Sequence, residues 1–228
     1  MWAVLPAKDF VDAKQRLAGV LSAPERRRLF RTMFADVLAA LAATASLDGI
    51  AVMTRDSEAV KMGTLYGARI LSEPENLGQS EAVSRAVSIL AADGITGIAT
   101  FPGDVPLADP AEIETVLRRH AETTPPAMTI VPAHDRRGSN CIALSPPTLI
   151  PFRFGNDSFK PHLATARAQN IEPTILELPG LALDIDTPDD LRALLARPGE
   201  TRTHAYLEDS GIAGRLRTSS AIAKELTR

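Results

Sequence analysis

The chain has 228 residues, of which 45% are hydrophobic and 23% are charged, and this balance predicts one globular domain with a sizeable core. Its formal net charge of -3 gives no general attraction for nucleic acid or for an anionic membrane, and its single cysteine, Cys141, excludes an internal disulfide framework. Because the N-terminal apolar run is too short for a signal peptide, and no apolar stretch approaches the roughly 18 residues that span a bilayer, we expect a soluble, cytoplasmic protein.

Strands and helices alternate in the first half of the chain. Short apolar runs predict strands at residues 2–5, 50–53, 68–71 and 98–101. Capping residues followed by apolar residues at helical spacing predict helices after Ser22, from near Asp56, over residues 81–92, and from Asp109 to Leu117. The alternation predicts an α/β fold, a three-layer α/β/α sandwich with a mostly parallel sheet, whose ligands bind beyond the carboxyl ends of the strands.

The second half has longer polar loops between its predicted elements. Strands are predicted at residues 128–131, 141–144, 174–178 and 181–185, and helices at residues 159–169 and from Thr187 to Leu195. From Pro198 the chain becomes polar, with a possible short helix around Tyr206. We therefore assign residues 1–197 to a single domain and residues 198–228 to a polar C-terminal extension, either an oligomer-contact arm or a loose tail.

Three aspartates lie at or just beyond the ends of predicted strands. Asp104 comes after an apolar run in FPGDVPL, and Asp184 and Asp186 flank Ile185 in LALDIDTPDDL, so in an extended segment both carboxylates point to one face. Magnesium binds carboxylate oxygens together with water and substrate phosphates. The spacing predicts a divalent metal site, although Asp186 could instead cap the helix that follows, a role that Thr187 could also fill.

A basic loop follows the first predicted strand. In PAKDFVDAKQRL, the cationic side chains of Lys8, Lys14 and Arg16 could neutralise the phosphates of a nucleotide or of a phosphorylated substrate. The loop lacks the glycines of a phosphate-binding Walker loop. Taken alone, exposed lysines are usually a solvated surface, and that alternative stays open.

Two loops of the second half combine small and hydroxyl residues. RRGSN contains Ser139, and FGNDSFKPH contains Gly155, Ser158 and His162 around the start of a predicted helix. Backbone amides and a helix N-terminus can bind an anion, so the loops predict a phosphate or carboxylate cradle in which His162 could touch the substrate. The alternative is an ordinary turn with Ser158 as the helix cap.

The segment EPENLGQSEA precedes the third predicted helix. Its residues Glu73, Asn76 and Gly78 could recognise a base or a ribose. The same residues could equally form a plain loop and a helix start.

Read together, five of these segments in order resemble the guanylyltransferase family of deazaflavin coenzyme F-420 biosynthesis. They are PAKDFVDAKQRL, FPGDVPLADP, RRGSNCIAL, FGNDSFKPH and LALDIDTPDDL. The resemblance implies a nucleotide-diphospho-sugar transferase-like fold, GTP as co-substrate, magnesium, a small phosphorylated carboxylic acid, and a downstream lactyl transferase that receives a labile product. A homodimer is possible. The implied roles are metal binding by Asp104, Asp184 and Asp186, contact of Lys14 with the substrate phosphate, and binding of the acid by Ser139, Gly155 and Ser158.

Guanylyl transfer of this kind needs no general base, because the attacking phosphate is already an anion. It needs charge neutralisation and alignment of two phosphates, and Lys8, Lys14 and Asp104 are the catalytic candidates. The acid stays open among 2-phospho-L-lactate, phosphoenolpyruvate and 3-phospho-D-glycerate. The alternatives are a sugar-phosphate or molybdenum-cofactor nucleotidyltransferase, and a nucleotide-binding regulatory protein without catalysis.

Overall fold

Seven strands form one sheet within the part of the chain that the computed structural model describes. That part comprises residues 1–10, 13–72, 75, 78–155 and 157–225, with residues 219–225 described as backbone only. The strand order is β3-β2-β1-β4-β6-β5-β7. The strands are β1 (Trp2–Ala7), β2 (Gly49–Thr54), β3 (Arg69–Ser72), β4 (Ile98–Thr100), β5 (Ala127–Pro132), β6 (Ser139–Ser145) and β7 (Thr174–Ile175).

Helices cover both faces of the sheet. They are α1 (Ala23–Ala42), α2 (Ser57–Leu65), α3 (Gln79–Ala92), α4 (Pro110–Ala121), α5 (Phe159–Arg167), α6 (Pro188–Leu195), α7 (Arg202–Asp209) and α8 (Ile212–Glu225), with a 3-10 helix at Gln15–Leu17. Helices α1, α2 and α4 share one core cluster with the sheet, and α3 and α5 share another on its opposite face. In β1, Ala3 and Leu5 contribute to the first cluster and Val4 to the second, as the two-residue period of a strand requires. The predicted three-layer sandwich is confirmed.

The sheet is mostly parallel, with one reversed strand. Strand β1 is parallel to β2 and β4, β2 to β3, and β5 to β7, whereas β6 is antiparallel to both β4 and β5. The first residues of β6 therefore lie at the sheet edge where β1, β4 and β5 end. This reversal positions the site described below.

The local signals for helix starts are confirmed. Ser22 and Glu25 form a reciprocal capping box at α1. The carboxylate of Asp56 accepts hydrogen bonds from the first backbone amides of α2, and that of Asp109 does so at α4.

The prediction of a strand at residues 181–185 is wrong, and the strand predicted at residues 174–178 is reduced to Thr174–Ile175. The apolar residues of this segment are buried, but the segment does not pair with a strand of the sheet. Leu181 packs in the first core cluster, and Leu183 and Ile185 pack in a third cluster beside α1. Isolated backbone hydrogen bonds hold this segment instead, and one of them runs from the Ile185 amide to the Asp104 carbonyl oxygen.

The C-terminal helices pack onto α1. The buried carboxylate of Asp36 accepts hydrogen bonds from the backbone amides of Arg202 and Thr203 and from the Thr203 hydroxyl. Tyr206 and Leu207 are buried in the third cluster, which also contains residues of α1, α6 and α8. The segment predicted to be a polar extension thus contributes Tyr206, Leu207, Ile212, Ala213 and Leu216 to the core. Among the described residues, no helix is both long and apolar enough to cross a membrane.

Candidate active site

A cleft of about 730 Å³ opens where β1, β4 and β5 end and β6 begins. This is the edge at which α/β sheets bind ligands. The structure brings most of the predicted site residues to this cleft, although they come from distant parts of the sequence. Those that line it are Lys8, Lys14, Asp104, Ser139, Gly155, Ser158, Asp184 and Asp186.

The Lys14 ammonium lies between two of the predicted metal-binding carboxylates. Its Nζ donates to Asp186 Oδ1 at 2.8 Å and to Asp104 Oδ2. Burial of the lysine, whose side chain is 5% exposed, lowers its pKa, but the charges of Asp104 and Asp186 outweigh this and leave the pKa raised. Lys14 is therefore a permanent cation in the cleft.

The backbone of Lys14 is held in an unusual conformation. Its φ of 58° and ψ of 43° are left-handed, at a cost of about 1–2 kcal/mol for a residue with a side chain. It directly precedes the 3-10 helix, whose Leu17 is buried in the third core cluster. The packed helix supports the strained residue and directs its side chain to the acids.

Asp184 and Asp186 have different partners. Asp184 accepts a hydrogen bond of 3.1 Å from Asn140 Nδ2, and its burial, followed by the charge of Asp104, raises its pKa to about 6. Burial also disfavours the charged form of Asp186, but Lys14 outweighs this and lowers its pKa. One of the two acids thus lacks a full counter-charge.

Asp186 does not cap α6. Thr187 is the capping residue, its hydroxyl accepts from the Asp190 amide, and Asp190 completes the capping box. The carboxylate of Asp186 therefore remains directed to Lys14 and to Arg16, whose Nη1 lies 3.5 Å from Asp186 Oδ2. The helix-cap alternative for Asp186 is wrong.

The chemistry of the three acids is suited to binding a divalent cation. Asp104 Oδ1 is buried without a hydrogen-bond partner among the described residues, which is costly for a carboxylate oxygen, and Asp184 beside it has a raised pKa. A hard cation would coordinate the Asp104 oxygen and stabilise the charged form of Asp184. Within the described ranges, no three acidic, histidine or cysteine side chains already form a ligand group around one point, and Lys14 Nζ bridges Asp104 and Asp186.

The opposite wall of the cleft carries hydroxyl and cationic groups. Ser158 occupies the N-cap position of α5, but its hydroxyl makes no capping bond and donates instead to Ser139 Oγ at 3.3 Å. Gly155 has a φ of 154°, which residues with side chains rarely adopt. Arg137 also lines this wall, and its backbone carbonyl oxygen accepts from the Phe159 amide. The wall is suited to a small anion.

Other predicted residues lie elsewhere. His162 is buried behind Ser139 and is not among the residues that line the cleft. Gly78 caps the N-terminus of α3 and does not line the cleft either. Glu73 and Asn76 lie outside the described residues.

Gln79, Arg137 and Asn140 also line the cleft, although no role was predicted for them from the sequence. Arg137 and Asn140 lie within the predicted loop RRGSN, and Gln79 follows Gly78 directly. Their closeness in sequence to predicted site residues is the signal that could have identified them. Asn140 has the clearest task, because its side-chain amide joins Asp184 to the backbone carbonyl of Leu181.

The chain is similar to known proteins in sequence and in fold. A family model described as guanylyl transferase CofC like matches residues 1–228. The phosphoenolpyruvate guanylyltransferase of Conexibacter woesei is 40% identical over 193 residues, 85% of this chain and 86% of that protein. The 3-phospho-D-glycerate guanylyltransferase of Colwellia psychrerythraea is 34% identical over 197 residues, 86% and 92% of the two chains.

A solved structure shares the fold. The nucleotide-diphospho-sugar transferase of Desulfovibrio desulfuricans G20 superimposes with a TM-score of 0.77 at 19% identity, over 95% of this chain and 96% of that chain. The predicted nucleotide-diphospho-sugar transferase-like fold is confirmed.

Proposed function

The chain belongs to the CofC-like guanylyl transferase family and is a nucleotidyltransferase, and from this premise we propose that it transfers GMP from GTP to the phosphate of a small phosphorylated carboxylic acid. One observation carries the proposal. Three acids, a buried lysine and a hydroxyl-rich anion wall line the same cleft. Pyrophosphate is the second product.

The reaction is a substitution at phosphorus. A phosphate oxygen of the acid attacks the α-phosphorus of GTP, the new P–O bond forms, and the bond to the bridging oxygen breaks as pyrophosphate leaves with its electron pair. The nucleophile is already ionised near neutral pH, so no side chain has to remove a proton. The cleft has to hold two anions together, and Lys8, Lys14 and Arg16 supply positive charge for this.

The acidic residues would hold magnesium. Asp104, Asp184 and Asp186 provide the oxygen donors, and a bound Mg²⁺ would neutralise charge on the triphosphate and on the leaving pyrophosphate. The unpartnered oxygen of Asp104 supports this assignment. Lys14, which contacts Asp104 and Asp186, would then help to neutralise charge on the transferring group.

Phosphoenolpyruvate is the acid to test first, because the relative that is 40% identical is named for it. The 34% identical relative is named for 3-phospho-D-glycerate, and 2-phospho-L-lactate is the third candidate. The product would be a reactive diphosphate that a downstream lactyl transferase consumes in coenzyme F-420 biosynthesis.

The test incubates the protein with GTP, Mg²⁺ and each acid separately, measures pyrophosphate release, and traps the labile product with the downstream transferase for mass analysis. We expect acid-dependent pyrophosphate release and a product that contains GMP and the acid. ATP and a sugar phosphate serve as matched substitutions for the two substrates. Turnover with these, and none with GTP and any of the three acids, would refute the proposal.

A further inference from the structure

His162 lies directly behind the anion wall of the cleft. Its side chain is 1% exposed, and both ring nitrogens have partners: Nδ1 lies 3.0 Å from Ser139 Oγ, and Nε2 lies 2.9 Å from the backbone nitrogen of Arg153. The ring of Phe154 packs against it edge-on, with 5.4 Å between ring centroids. The imidazole therefore has one fixed orientation.

The Arg153 contact decides which nitrogen of His162 carries the proton. A backbone N–H can only donate, so Nε2 must accept with its lone pair. Burial, and next the charge of Arg153, lower the pKa of His162 to about 4, so the ring is neutral near pH 7 and has one proton. That proton is on Nδ1, which donates to Ser139 Oγ.

Counting the protons of the two hydroxyls then shows whether the cleft wall can donate a hydrogen bond. Ser139 and Ser158 have one hydroxyl proton each and share one hydrogen bond of 3.3 Å. Because His162 donates to Ser139, that shared bond uses only one of the two protons, whichever serine donates in it. Among the residues that the structure describes, no other acceptor takes the second hydroxyl proton, which is left for the cleft that both serines line. With a histidine that accepted from Ser139, both protons would be used within the wall.

We propose that His162 is a positioning residue that makes the Ser139–Ser158 hydroxyl pair a hydrogen-bond donor to the anionic group of the acid substrate. The inference rests on the proposed function and deepens it, because it names how one wall of the cleft recognises a phosphate or carboxylate. Ionised oxygens of these groups only accept hydrogen bonds, so a wall with a free donor binds them and a wall without one repels them. His162 acts through Ser139 and makes no substrate contact of its own.

The first test is spectroscopic and needs no substrate. Long-range ¹H–¹⁵N correlation spectra of the labelled wild-type protein at pH 7 report which ring nitrogen is protonated. We expect His162 to have a protonated Nδ1 and an unprotonated Nε2. The opposite tautomer, or a doubly protonated ring, would overturn the proposal whatever the activity of the protein.

The second test separates the two hydrogen bonds of the ring. His162→Asn puts an amide at the position of Nδ1 and can still donate to Ser139, whereas His162→Gln puts its amide near Nε2 and keeps an acceptor for Arg153. We expect His162→Gln to weaken binding of phosphoenolpyruvate about three- to tenfold, the value of one net hydrogen bond, without changing KM for GTP. His162→Asn should retain most of the affinity. Equal affinities of the two variants would contradict the proposal.

His120 provides a matched control. It is also buried, and its ring nitrogens contact the hydroxyls of Thr129 and Ser145 at 3.0 Å each, but it does not line the cleft. We expect His120→Gln to lower the thermal midpoint without weakening acid binding. A parallel loss of acid affinity in this control would mean that the His162 effect is general destabilisation.

A double-mutant cycle tests the route through Ser139. In a Ser139→Ala background, we expect His162→Gln to change the acid affinity less than twofold, because its target is gone. Additive losses would overturn the inference. If no acid supports guanylyl transfer, the proposed function fails, but the tautomer and the binding of phosphoenolpyruvate and of inorganic phosphate to the same variants still decide the role of His162.

Discussion

Lys14 Nζ lies 2.8 Å from a carboxylate oxygen of Asp186, although 172 residues separate the two in the chain. The same ammonium also contacts Asp104. A buried cation thus lies between two of the acids, at a residue whose backbone is left-handed. This relationship leads to the first two predictions.

Replacing Lys14 by alanine should separate metal binding from turnover. We expect kcat to fall about 10²-fold or more, because a cation that stabilises the transferring phosphate is lost. Binding of Mn²⁺ without nucleotide should tighten, because Asp104 and Asp186 lose their counter-charge. Steady-state kinetics and a Mn²⁺ titration measure the two effects. Lys61→Ala, on the exposed surface of α2, is the control, and near-normal kcat in Lys14→Ala would contradict the assignment.

Replacing Asp104 by asparagine should abolish most of the Mg²⁺-dependent pyrophosphate release while the protein stays folded. The substitution keeps the shape of the side chain and removes the negative charge of a carboxylate. The Oδ1 atom of that carboxylate has no hydrogen-bond partner among the described residues. Circular dichroism checks the fold. Asp189→Asn is the matched control, because Asp189 is exposed and forms an ion pair with Arg192 in the same helix turn. Turnover of Asp104→Asn at the control's level would refute the metal role.

Asp184 should make metal binding and stability depend on pH between about 4 and 6. Its folded pKa of about 6 lies above the ordinary 3.8, so the metal-free folded state binds its proton more tightly than the unfolded state does. The stabilising contribution is therefore present below the unfolded pKa and is lost as pH rises through about 6. Mg²⁺ affinity should rise over the same interval, because the metal needs the carboxylate.

Urea unfolding of the metal-free protein across this pH range measures the stability effect. Asp184→Asn should lose less stability than the wild type between pH 4 and pH 6. Parallel stability curves for the two proteins would show that Asp184 is not the group that titrates.

The packing of α7 on α1 predicts that the C-terminal segment stabilises the domain. Asp36→Ala leaves the amides of Arg202 and Thr203 without their acceptor, which should lower the free energy of unfolding by about 1–3 kcal/mol. The variant should keep its KM for GTP, because the contact does not line the cleft. A shortened chain that ends at residue 197 should be less stable still, since buried Leu207 and Leu216 are removed from the third cluster. Unchanged unfolding midpoints in both variants would contradict this role.

Much of the fold could be predicted from the sequence because its signals are local. Ser22, Asp56 and Asp109 each start a helix through bonds to backbone amides within three residues. Residues 181–185 show where such reasoning fails. Their apolar alternation is typical of a strand, but they are buried by packing against two clusters without a strand partner.

The sequence by itself determined the α/β class, the helix starts and the residue types of the site, since these depend on short-range spacing and on the chemistry of single side chains. Only the tertiary structure decided which groups meet. The reversed strand β6 brings Ser139 and Asn140 to the ends of the parallel strands. The left-handed backbone of Lys14, in a basic loop that could equally be solvated surface, aligns its ammonium with two distant aspartates. The sequence suggested that His162 could touch the substrate, whereas in the structure it is a buried partner of Ser139. The direction of its hydrogen bonds depends on Ser139 and Arg153, and their contacts with the ring could not be predicted from the sequence.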